Sequence, residues 1–209
     1  MPKGSPELTN ARKEEIISAC ETLYKTMSFK EITIKEIANF TSFTRTSIYN
    51  YFETKEEIFL ALLTREYDLW TAALQKIISD NETLSADEFS QKIAHSLEER
   101  QQLLKILSMN HYDMEENSRE ENLIEMKKAY GSTMKAVDDC LTKFFPKISE
   151  EKRTNFIYVF FPFMFGIYPY SIVTDKQRNA MKEANINYKY QTIFEIVYRC
   201  IKNLLEVSL

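Results

Sequence analysis

The chain has little of what tight turns and phosphate-binding loops are built from. Only 3 glycines and 5 prolines occur in 209 residues. Gly-rich phosphate cradles and sheets joined by tight turns are therefore disfavoured, and an all-α fold is expected. Histidine is scarcer, with 2 residues, and the 3 cysteines (Cys20, Cys140, Cys200) are far apart with no CxxC pair. That argues against zinc-ligand spacings and a disulfide framework, so neither a metal nor a cofactor is expected. Each cysteine falls among apolar residues at helical spacing and reads as a buried thiol in a reducing cytoplasm. Excess positive charge is also missing. The chain carries 27 basic against 31 acidic residues, a net charge of −4, and residues 1–60 hold 8 against 9. A nucleic-acid binder of this composition must rely on local placement rather than bulk charge. The opening MPKGSPELTN contains no apolar signal-peptide core.

What is present is ordinary for a globular protein: 44% hydrophobic and 28% charged residues, in a length that allows a sizeable core. One stretch, NFIYVFFPFMFGIYPYSIVT (155–174), lies in a segment without charge between Arg153 and Asp175. As a helix it would reach about 30 Å, a bilayer's hydrocarbon thickness. Pro162, Gly166 and Pro169 interrupt it and no second span follows, so a core or subunit-interface helix is expected rather than a membrane span.

Helical periodicity organises the rest. Ile16, Ile17, Cys20, Leu23, Tyr24 and Met27 form a stripe over 9–27. Thr33-Ile-Lys-Glu36 is a capping-box pattern opening a short second helix, residues 41–42 interrupt, and 44–51 is a short third segment. Thr54-Lys-Glu-Glu57 opens a long helix, and Ser85-Ala-Asp-Glu88 another, followed by an apolar patch over 103–109. Residues 111–121 read as a polar loop, 119–145 as a long helix, and 175–188 as loop-like with at most one turn. A last helix spans 190–207, with apolar residues on several sides. No catalytic triad or dyad is suggested: Asp138 and Asp139 are adjacent and point to different helix faces, so an enzyme is not expected. His111-Tyr-Asp113 is weighed as a metal hint, with an ordinary loop histidine preferred.

TSFTRTSIYNYFETKEE (41–57) is the chemically informative stretch. A helix-turn-helix over 33–52 would pack Ile37 and Ala38 on Ile48 and leave Thr44, Arg45, Thr46 and Ser47 at the outer start of the second helix. From there arginine can donate to guanine O6 and N7, and threonine can meet a thymine methyl. Tyr49 and Lys55 flank this segment, where phosphate contacts are expected.

The ordered elements Ile37-Ala38, Thr41-Ser42-Phe43-Thr44, Ser47-Ile48-Tyr49, Tyr51-Phe52 and Thr54-Lys55-Glu56 resemble the DNA-binding domain of the TetR family of transcriptional repressors over residues 12–63. Ser42 departs from the family's usual glycine at the turn, which implies a strained or rearranged turn if the position needs positive φ. The resemblance implies a helix-turn-helix domain (1–56) joined by a long helix to a ligand-binding and dimerisation domain (57–209). The candidate DNA-contacting set is Thr33, Thr44, Arg45, Thr46, Ser47, Tyr49, Asn50 and Lys55, facing a double-stranded operator. The resemblance also implies a homodimer through 149–170 and 190–207, and a regulator released from DNA by a small apolar ligand. Trp70, Tyr130, Met134, Phe163, Met164 and Tyr168 are the candidate ligand-lining residues. The alternative is a helical small-molecule-binding protein or enzyme without DNA binding, which rests only on the aromatic-rich carboxyl half.

Overall fold

The computed structural model describes residues 5–109 and 111–208, and every regular element among them is an α-helix. In order these are α1 (Pro6–Tyr24), α2 (Ile34–Asn39), α3 (Arg45–Ile48), α4 (Lys55–Asp80), α5 (Ala86–Glu98) and α6 (Gln101–Leu107). They continue with α7 (His111–Glu116), α8 (Glu120–Phe144), α9 (Glu150–Ser171), α10 (Asp175–Glu183) and α11 (Ile193–Ser208). The hydroxyls expected to start helices do so: Thr33, Thr54 and Ser85 each accept the backbone N–H three residues on, and Ser149 and Thr174, not singled out by the sequence, do the same. Only some of the expected reciprocal boxes form. Ser85 and Glu88 cap each other, whereas Glu57 turns away from Thr54 and accepts the Glu53 N–H at 2.8 Å.

The chain forms two compact units, Met1–Glu66 with Asn110–Tyr130, and Tyr67–Met109 with Gly131–Leu209. The first unit is larger than the segment expected to end at residue 56, because the first turns of α4 belong to its core. Ile58, Phe59 and Leu62 are fully buried, with Tyr24 and Phe29 edge-on to Phe59 at 5.0 and 4.8 Å. Arg65 fastens α1 from outside, donating to Glu21 at 2.6 Å and Ser18 at 3.0 Å. The polar stretch 111–121, expected as a loop, contributes the short helix α7 and, in Arg119, the partner of the buried Glu57 described below. Hydrophobic periodicity misses this segment because its apolar anchor is the single residue Met114, 1% exposed.

In the second unit α11 packs on α5 and α9, and α6 packs on α9. Helix α9 runs without a break through Pro162 and Pro169, contrary to the interruption expected. A proline lacks the N–H that the carbonyl four residues earlier would accept; the residues at those positions, Tyr158 and Phe165, are both exposed. The apolar stretch is two-faced rather than wholly enclosed: Phe156, Ile157, Phe160, Phe161, Met164 and Ile167 are buried, while Tyr158, Val159, Phe165 and Tyr170 are exposed. Among the described residues no single helix is long and apolar enough to cross a membrane. Residues 175–183 form the helix α10, where at most one turn was expected. Cys20 and Cys140 are buried as expected, but Cys200 is only half-buried. Burial pushes the thiols up to about 12, 12 and 11 for Cys20, Cys140 and Cys200, so all three are protonated at neutral pH.

Candidate nucleic-acid interface

The site is assembled from the inside outward. Ile34, Ile37, Ile48 and Phe52 are buried, which fixes α2 and α3 on one small core and dictates which residues must face away. Ala38, expected beside Ile37 in that core, is only half-buried. Helix α3 is a short helix of 4 residues, and the turn continues through Tyr51 N–H to Ile48 carbonyl (2.9 Å) and Phe52 N–H to Ile48 carbonyl (3.1 Å). Its entry is capped by Thr44, which accepts the Ser47 N–H at 3.2 Å and shares a hydrogen bond with the Ser47 hydroxyl at 2.9 Å.

The turn before α3 is not strained in the way expected from Ser42. Asn185 is the only non-glycine residue with positive φ among the described residues, so Ser42 avoids that region. Its N–H and hydroxyl both donate to the Glu15 carboxylate on α1. A side chain from another helix thus fixes the turn that a glycine fixes by conformational freedom.

Outside this frame, Thr44, Arg45, Thr46, Tyr49 and Asn50 are exposed, and Ser47 is half-buried. The Arg45 guanidinium lies along Tyr49, 5.9 Å from its ring centre, and donates weakly to its hydroxyl at 3.4 Å. Thr46 and Asn50 make no side-chain hydrogen bond among the described residues, so their donors and acceptors are available to base edges. Thr33 is exposed at the start of α2; it accepts the Glu36 N–H at 3.3 Å, leaving its own O–H to donate outward.

Lys55 departs from the expected set. Its ammonium donates to the carbonyls of Phe29 (2.8 Å) and Ile32 (3.2 Å) and sits 4.1 Å from the Phe29 ring centre. With 2 of its N–H groups held by the α1–α2 loop, it braces that loop rather than standing as a free cation. Residues that carry no motif signal complete the frame. Arg12 donates to the Tyr51 hydroxyl at 2.9 Å and lies over Phe43, and Glu15 holds the turn. Arg119 donates to the Tyr51 carbonyl at 3.2 Å while paired with Glu57.

The six expected ligand-lining residues are not equivalent. Trp70 and Met164 have 0% exposure, so they lie sealed within the core. The Trp70 N–H donates to the Ser96 hydroxyl at 3.0 Å, which makes it a satisfied core residue. Phe163 faces an open groove of about 450 Å³ shared with Ile196, Cys200, Leu204 and Val207 of α11. Tyr130, Met134 and Tyr168 are half-buried, and burial raises the Tyr168 hydroxyl above its ordinary pKa. Among the described residues no cluster of His, Cys, Asp and Glu is suited to a metal ion. The His111 side chain lies outside the described residues.

A buried half fixing two short helices while arginine, threonine and tyrosine face outward defines a helix-turn-helix. Family comparison agrees along the chain: residues 16–62 match "Bacterial regulatory proteins, tetR family", and residues 64–195 match "Tetracyclin repressor-like, C-terminal domain". The chain belongs to the TetR family, whose members are DNA-binding transcriptional regulators and generally not enzymes. It is similar to the HTH-type regulators YfiR of Bacillus subtilis (31% identical over 75 residues, 36% of this chain and 37% of that protein) and RutR of Escherichia coli (29% over 77 residues, 37% and 36%). The matched stretch thus spans little more than a third of each curated relative. Solved structures share the fold over nearly the whole chain. The fatty acid degradation regulator FadR from Bacillus halodurans has a TM-score of 0.58 at 13% identity, covering 97% of this chain and 96% of its own. Thermus thermophilus FadR, a TetR-family repressor in complex with lauroyl-CoA, has a TM-score of 0.56 at 15% identity, covering 94% and 95%.

Proposed function

We propose that this protein is a homodimeric repressor that reads an operator half-site with the outer face of α3 and is released by a small apolar ligand. The observation that carries the reading is the exposed Arg45–Tyr49 pair beside unengaged Thr46 and Asn50, all mounted on a buried Ile48–Phe52 anchor. Arg45 supplies the base-edge donor, and Thr33 and Tyr49 supply hydroxyls for phosphates on either side. A net charge of −4 implies weak non-specific affinity, so specificity rests on these few contacts.

The dimer reading is supported by the exposed apolar side of α9 and by the groove that Phe163 forms with α11. Two such helices from each protomer would bury both faces about a twofold axis. For the ligand, Met134 and Tyr168 of the second unit remain as lining candidates; the lauroyl chain of the lauroyl-CoA bound by a fold neighbour supports a ligand with an elongated apolar part. A ligand preferring the non-binding arrangement would lower operator affinity by shifting that population. Such a protein acts in the cytoplasm, where its operator lies.

The test is fluorescence anisotropy with duplexes tiling the DNA upstream of its own coding sequence, against scrambled duplexes and over a salt series. One duplex should bind at least about a thousandfold more tightly than scrambled DNA. Equal affinity for every duplex would overturn the operator reading.

A further inference from the structure

Helix α10 is capped at both ends, yet none of its residues lies in a core. Thr174 caps its amino end by accepting the Gln177 N–H at 3.2 Å. Asn185, at φ 54, closes its carboxyl end. There the Ile186 N–H returns to the Met181 carbonyl and the Asn185 N–H to the Lys182 carbonyl, both at 3.0 Å, the paired bonds of a Schellman stop. Yet none of its 9 residues is buried. Isolated helices shorter than about 12–15 residues are marginal in water, so caps alone do not explain a helix here.

The helix leaves α9 at 83°, projecting from the end of that helix rather than folding back along it. Its visible anchor is Arg178, whose guanidinium lies 4.9 Å from the Tyr190 ring centre at the approach to α11. The exposed apolar side of α9 continues through Tyr170 into Ile172 at the root of the projection, and Ile186 is exposed at its far end. Exposed apolar residues thus follow one another along the chain from Tyr170 on α9 through Ile172 to Ile186 beyond α10.

We propose that residues 172–188 form an arm that docks on a second copy of this chain, with its apolar residues Ile172, Met181 and Ile186 extending the α9–α11 interface. The proposal rests on the dimer reading above, because the partner that covers α9 is the one within reach of a segment continuous with it. The arm fixes the two protomers' relative rotation as well as their affinity, since a contact far from the twofold axis resists turning about it. It is thereby a determinant of half-site spacing.

The test uses the full-length protein and the double variant Met181→Asp/Ile186→Asp, whose positions are half-buried and exposed, respectively, so the monomer fold is not at risk. Sedimentation equilibrium should show dimerisation weakened by about tenfold or more in the variant. Hydrogen exchange over 175–186 should be slowed in the wild-type dimer and revert to the free rate on dilution to monomer. A dimer of unchanged affinity whose arm exchanges at the free rate would overturn the arm while leaving the dimer reading intact. A wild-type protein that stays monomeric at high concentration would overturn the dimer reading and the arm with it.

Discussion

Glu57 and Arg119, 62 residues apart in sequence, form an ion pair held by three hydrogen bonds. Nε of Arg119 donates to the Glu57 carboxylate at 2.7 Å and Nη2 at 2.8 Å, and the Arg119 backbone N–H adds a third bond at 3.0 Å. The same guanidinium reaches the Tyr51 carbonyl, and Thr54 donates to the Asn117 carbonyl at 2.8 Å. The end of the helix-turn-helix is thus clamped to the start of α8. Glu57 is 1% exposed, so removing its partner leaves a buried charge with only backbone donors. Arg119→Met should lower unfolding free energy by about 3 kcal/mol, read from urea melts. A loss below about 1 kcal/mol, the range of surface pairs, would show that the clamp is open in solution.

The same clamp sets an acid limit. Burial alone would raise the Glu57 pKa from 4.5, but the bonds from Arg119 and from the Glu53 and Arg119 N–H groups outweigh it and hold the carboxyl at about 2. Arg119 is raised further still by the pair and stays charged. A depressed carboxylate pKa gives stability that is complete above about 4.5 and is lost as the pH falls toward about 2. Glu57→Gln should flatten that part of the stability–pH curve while lowering stability at neutral pH. A variant curve parallel to the wild type over this window would assign acid sensitivity to other carboxylates.

Arg45→Ala should cost about 1–3 kcal/mol on the operator and relax preference at one position of each half-site. Competition against single-base operator variants measures both. Equal loss on operator and scrambled DNA would make Arg45 a backbone contact. Tyr49→Phe should instead weaken binding to every sequence alike.

Lys55 is expected to act through the fold. Lys55→Met removes two charged hydrogen bonds to loop carbonyls and should lower stability by about 1.5–3 kcal/mol with the salt dependence of DNA binding unchanged. A salt slope reduced by about 1 would instead place its ammonium on a phosphate in the complex.

The contrast between Arg45 and Lys55 shows how far the sequence was legible. Arg45 could be placed because its neighbours fix it: Ile48 must go inward, so residues at the start of the same short helix go outward. Lys55 stood at a motif position, but whether a long flexible ammonium turns to solvent or to a carbonyl depends on a loop 23–26 residues earlier. The Glu57–Arg119 pair is a non-local contact between polar residues, invisible to periodicity, and hid inside a segment read as loop. The local pattern at Ser42 leaves a strained and a rearranged turn both open, because it cannot show that Glu15 supplies the missing constraint. Helix α10 escaped because it buries no residue and so carries no apolar stripe. Trp70, Phe163 and Met164 were grouped by composition, and only packing separates a sealed core from a surface groove.

That separation makes the apolar stretch of α9 testable face by face. Phe160 has 0% exposure and touches the rings of Phe156, Phe161 and Phe163, whereas Val159, its chain neighbour, is 51% exposed. Phe160→Glu buries an unpaired carboxylate in the protomer's own core and should unfold it. Val159→Glu leaves that core untouched and, where α9 covers a second copy, buries the charge only on association. It should therefore give a folded monomer, with wild-type helicity by circular dichroism and half the wild-type mass by sedimentation. Operator affinity should fall with it, because a monomer engages one half-site at a time and loses the effective concentration of the second. A Val159→Glu protein that remains dimeric at wild-type affinity would remove this side of α9 from the subunit interface.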